Sequence, residues 1–140
     1  MSSNENQFYA DSQRLIDEFL EISPTSATFL GDHRFDDRLD EYTEDGFDRQ
    51  RQWAGEWLDR LENFDTQAWS IDAQIDRILM VHILKDAIRQ LDRIRLQYRH
   101  PGAVVDTCLN GVYLLIIRDF APLPERMKSI LGRVQKIPGV

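Results

Sequence analysis

From Ser70 to Arg99, thirty residues keep one helical period between a serine N-cap and a Pro101-Gly102 stop. At 1.5 Å per residue such a helix is a rod of about 45 Å. Its apolar positions (Ile71, Ile75, Ile78, Leu79, Ile83, Leu84, Ile88, Leu91, Ile94 and Tyr98) cover more than a narrow seam. A rod of that kind needs helices on two sides, and a chain of 140 residues has to be organised around it. The fold class expected is all-α: about six helices in an irregular antiparallel array, with residues 70–99 as the one long central helix.

The remaining segments agree. Phe8, Leu15, Ile16, Phe19 and Leu20 share a helical face, with acids and Arg14 largely opposite. Ser23-Pro24 ends this helix, because the residue before proline avoids the α region, and the same pair starts a short helix that stops at Gly31. Residues 32–42 follow neither period and read as an ordered loop. A helix resumes near Thr43-Glu44-Asp45 and runs to about Phe64, burying Phe47, Ala54, Trp57, Leu58 and Leu61. A fifth, Val104 to Arg118, is apolar on nearly every face and is expected to sit centrally. A sixth starts near Pro124 and repeats Met127, Ile130, Leu131, Val134 and Ile137. The length suits a single all-helical domain over residues 1–140.

Composition limits the partners. A net charge of −7 argues against nucleic acid, whose phosphates need a positive surface. The single cysteine, Cys108, excludes an intramolecular disulfide and a cysteine-based zinc site; it is expected as a small buried hydrophobe. The first residues carry neither the basic nor the apolar part of a signal peptide, and the longest apolar run, Val112 to Ile117, is too short for a bilayer. The expectation is a cytoplasmic chain with no membrane partner.

Chemistry-bearing constellations are weak. None of the three histidines, His33, His82 and His100, starts a His-Glu-x-x-His motif. His82 and Asp86 stand one helical turn apart, but two ligands do not close a metal site. A calcium loop centred on Gly46 fails because position 12 is Gln52 instead of glutamate. Residues 32–48 carry eight carboxylates against Arg34 and Arg38, a pattern more often a solvated loop and helix start than an acid/base pair. Against that stands a cleft reading for His33, Arg34 and Asp36, since mixed polar loops on helical scaffolds commonly bind something. Arg118 can cap helix carbonyls or clamp a carboxylate; capping is the simpler role. No catalytic residue and no metal ligand is assigned.

Several short motifs nevertheless share an order. They are Ser23-Pro24-Thr25-Ser26-Ala27-Thr28, Gly31-Asp32-His33, Phe35-Asp36 with Leu39, Asn110-Gly111-Val112-Tyr113, Arg118-Asp119-Phe120-Ala121-Pro122, and Arg133 with Ile137-Pro138. In them the chain resembles the N-terminal part of the domain of unknown function 885 family of bacteria and archaea. The resemblance implies a longer helical protein similar to zinc metallopeptidases of the gluzincin type, whose His-Glu-x-x-His motif lies downstream of the matched region. Zinc and a peptide substrate are thus implied for the full-length family, with no cofactor in this chain. By the same resemblance His33, Arg34, Phe35, Asp36, Tyr113, Arg118 and Asp119 are candidate cleft linings, and the chain is a scaffold or cleft wall without catalysis of its own. The last helices are expected to pair with the missing C-terminal region or with a second copy. The alternative is a free-standing helical interaction module that dimerises.

Overall fold

The computed structural model describes residues 3–139, and every regular element among them is helical. In chain order these are α1 (Ser3–Ile22), α2 (Pro24–Leu30), α3 (Glu44–Glu62), α4 (Ile71–Arg89), a π-turn (Gln90–Ile94), α5 (Leu96–Arg99), α6 (Gly102–Ile117), α7 (Leu123–Lys136) and a 3-10 turn (Ile137–Gly139). They form two compact units, one from the residues up to Asp17 with Phe47–Leu96, the other from Glu18–Gly46 with the residues from Gln97 onward.

In the first unit, Phe8, Leu15, Ala54, Trp57, Leu61 and Leu84 form a buried cluster. The rings of Phe8, Phe64 and Trp69 meet at centroid distances of 4.9–5.9 Å, in tilted and edge-on geometries that suit aromatic quadrupoles. The buried carboxylates are paired. Asp11, 4% exposed, accepts a two-pronged contact from Arg60 Nε and Nη2 at 2.7 and 2.6 Å. Glu5 accepts from Ser70 Oγ at 2.6 Å, while that oxygen caps α4 by accepting from Ala73 N. Arg77 donates to the carbonyls of Leu61 and Glu62, which the end of α3 leaves without intrahelical donors.

The expected rod over residues 70–99 is helical but not continuous. After α4 the chain passes through the π-turn, and Arg95 adopts the left-handed conformation (φ 52°) before α5 begins. For an L-residue this costs about 1 kcal/mol or more. The turn is tied laterally, since Asp92 pairs with Arg51 of α3, which also holds Asp48. Such ties are tertiary and leave the apolar spacing unchanged. Burial is one-sided too. Ala73, Val81 and Leu84 of α4 are covered, while Ile71, Ile75, Ile78, Leu79 and Ile83 are exposed.

The second unit packs α2 and α7 against α6. α2 follows its sequence signals closely. Proline opens it, and Gly31 (φ 91°) closes it with its N–H on Thr28 O and that of Asp32 on Ala27 O, a Schellman arrangement that needs the left-handed glycine. α6, expected at the centre, buries Gly111 and Leu115 but leaves Val105, Leu109, Tyr113, Ile116 and Ile117 exposed. Cys108, expected to be buried, is only half-buried for the same reason. The apolar content of α6 shows that those faces seek cover, and α2 and α7 supply it on one side only.

Candidate functional site

The second unit is organised on a buried charge. Ile130 and Val134 of α7, with Ile137 just beyond it, form an apolar stripe, and Arg133 sits among them with no exposed surface. A guanidinium away from water is tolerated only when its donors are met. Here Nε donates to Arg38 O at 2.8 Å, Nη1 to Gly111 O, and Nη2 to Pro24 O and Thr28 Oγ1. The Asp36 carboxylate stands 3.8 Å from Nη2. Burial pulls the Arg133 guanidinium below its ordinary pKa, and the charges of Asp36, Asp40 and Asp37 oppose that shift. One side chain thus ties α2, the loop after it and α6 to α7.

The loop is held on both sides of this contact. Asp36, 5% exposed, accepts from Thr28 Oγ1 at 2.6 Å and meets His33 Nδ1 at 2.8 Å. The His33 ring stacks on Phe120, with centroids 3.6 Å apart and planes 6° from parallel. Asp40 reaches back to the start of α2, accepting from the hydroxyls of Ser23 and Thr25 and the backbone N–H of Thr25. Burial raises the Asp40 pKa, and these hydrogen bonds together with Arg133 work against the rise. Gly111 makes the close packing of α2 on α6 feasible, because a Cβ there would lie 2.9 Å from Thr25 Cγ2 and 3.0 Å from Leu39 Cδ2.

The candidate residues from the sequence divide accordingly. His33 and Asp36 belong to the network around Arg133, and the stacking on Phe120 brings loop 31–36 beside segment 118–120. Arg34 pairs with Asp32, holding that carboxyl below the usual range, and lies with Arg38 over the Phe35 ring. Arg118 caps a helix, though not its own. Its Nη1 donates to the Thr28 and Phe29 carbonyls at the end of α2, and its guanidinium covers the Phe29 ring. Asp119 is solvent-exposed and meets Arg126 at 3.2 Å. Arg126 in turn caps α6 through Ile116 O and Arg118 O. Sequence reasoning assigned no role to Arg133, Thr28, Asp40 or Gly111. The available signal was an arginine inside an apolar helical stripe.

Tyr113 is exposed and borders two open grooves. One, of about 400 Å³, is lined by Thr25, Ser26 and Phe29 from the α2 side and by Asp106, Asn110 and Tyr113 from α6. The other, of about 630 Å³, runs between α6 and the end of α7 and is almost wholly apolar. Among the described residues, no three histidine, cysteine, aspartate or glutamate side chains gather where they could hold a metal ion. Nor is any described helix long and apolar enough to cross a membrane.

The fold recurs in a solved structure. A protein of unknown function from Shewanella oneidensis, provisionally described as a lipoprotein, superposes on 99% of this chain with a TM-score of 0.84 and 25% sequence identity. The chain spans only 24% of the length of that protein. No curated protein matches it. At the level of sequence, residues 24–140 match the model of a family described as bacterial protein of unknown function. With most of its length inside that match, the chain belongs to the DUF885 family.

Proposed function

We propose that the chain forms the N-terminal helical wall of a longer peptidase-like protein, with the groove between α2 and α6 receiving part of a peptide substrate. The observation that carries this reading is the groove bordered by Phe29 and Tyr113. It combines aromatic surface with the hydroxyls of Thr25 and Ser26, the amide of Asn110 and the carboxylate of Asp106. Pockets with apolar walls and a few convergent polar groups are the usual sites of ligand binding. The loop that ends α2 is fixed to Arg133, so the wall is rigid before any ligand arrives. The match to 24% of a longer chain supports the reading of this chain as one part of a larger architecture.

The zinc that the resemblance implies for the full-length family does not fit the residues present. His33 is engaged with Asp36 and Phe120, and no donor set gathers elsewhere among the described residues. The role proposed here is binding and orientation, and no chemical step is assigned to this chain. Titration of the isotope-labelled chain with tri- to hexapeptides tests it. Backbone amide shifts are expected at Thr25, Phe29, Asn110 and Tyr113, reduced in Tyr113→Ala and accompanied by no peptide hydrolysis. Shifts absent at millimolar peptide, or confined to the first unit, would overturn it, as would hydrolysis by the purified chain.

A further inference from the structure

The groove between α6 and α7 differs in chemistry from the one assigned to substrate. Val105, Cys108, Leu109, Val112 and Ile116 line one side at helical spacing, and Val134 and Ile137 line the other. Val105, Leu109 and Ile116 are each more than half exposed, as is Tyr113 at its edge. Contiguous apolar surface of this kind on a folded unit marks a place where something docks. A trough bounded by two helices, lined by residues at i, i+3, i+4, i+7 and i+11, has the form that accepts the apolar face of a third helix.

We infer that this groove is the seat of an amphipathic helix from the part of the family-length polypeptide that lies outside the region represented by this chain. Two observations select that occupant. The solved relative reproduces nearly all of this chain and contains about three times as much again, so polypeptide to cover the groove is at hand in the same molecule. The chain's net charge of −7 opposes close approach of a second copy, whereas a segment of the same molecule arrives at high effective concentration. The inference rests on the chain being one part of a longer architecture. It does not rest on peptide binding or on any catalytic chemistry.

Cysteine reactivity tests it. In this chain a Cys108→Ser, Leu109→Cys variant places one thiol in the groove at a position whose exposure keeps folding intact. In the intact Shewanella relative, cysteine replaces the residue that superposes on Leu109. Reaction with a disulfide reagent is expected to be at least tenfold slower in the relative, with this chain monomeric by light scattering. Equal rates in the two proteins would overturn the inference. So would a dimer of this chain whose thiol becomes protected as concentration rises, which would make the second copy the occupant. Peptide-induced shifts at Tyr113 are read separately, so failure of the substrate reading and failure of this one are distinguishable.

Discussion

Arg133 of α7 donates through Nη1 to the backbone oxygen of Gly111 on α6, a contact buried on both sides and spanning 22 positions of sequence. Replacing Arg133 with methionine keeps much of the volume but leaves Pro24 O, Arg38 O, Gly111 O and Thr28 Oγ1 without this donor, and Asp36 without the guanidinium beside it. The expected loss is about 3–5 kcal/mol, the range for breaking a buried charged network. Arg133→Lys should recover little of it, because one ammonium cannot reproduce the planar fork. Urea unfolding followed by circular dichroism measures both.

Gly111→Ala drives a methyl group against Thr25 and Leu39 and is expected to cost about 1–3 kcal/mol, as overpacking does. Gly55 is the matched control. It lies inside α3 with nothing within 4 Å of an added Cβ, so Gly55→Ala should stabilise by about 0.5–1 kcal/mol. Opposite signs of the two shifts in denaturation midpoint are the result to look for.

Asp40 gives a pH dependence with a definite sign. Its pKa is raised in the folded state, so the native chain holds the proton more tightly than the unfolded chain. This group's contribution to stability therefore falls as pH rises from the ordinary carboxylate range through the raised value, then levels off. In an Asp40→Asn variant the side-chain amide can still accept from the Thr25 N–H and can donate to Ser23 Oγ, and it does not titrate. The stability of that variant relative to the parent should climb with pH across the window and stay flat above it. Denaturant midpoints between about pH 3.5 and 7 provide the measurement.

In the first unit, Arg60→Met removes both guanidinium donors from the buried Asp11 carboxylate and leaves it the 3.1 Å contact from Gln7. Because Arg60 is itself half exposed, water can replace part of the lost contact, and about 2 kcal/mol is the expected cost. Asp11→Asn in the same background should recover part of it by removing the charge. A double-mutant cycle read by urea unfolding checks the coupling.

The helical limits were legible where the signals are local. Ser23-Pro24 and Gly31 bracket α2 as expected because proline and glycine act through their own backbone angles. The break at Arg95 was not legible, since neither a glycine, a proline nor a change of apolar period marks it in the sequence. The same holds for Arg133. Its acceptors on α2 lie 105 and 109 positions away, and no local period encodes them. Apolar spacing showed which faces of α4 and α6 seek cover but not what supplies it. His33 and Asp36 stood out in the sequence as polar residues in an irregular loop, and their partners Thr28, Phe120 and Arg133 emerge only from packing.

The central claim is that the loop after α2 is a fixed wall built on Arg133. Native-state hydrogen exchange at the amides of Asp32, bonded to Ala27 O, and Arg38, bonded to Phe35 O, tests it most directly. Both should exchange only with unfolding of the second unit, at the same free energy as Leu115 of α6, and Arg133→Met should release them first. Exchange of these two amides at the rate of an open loop, while Leu115 stays protected, would contradict the account.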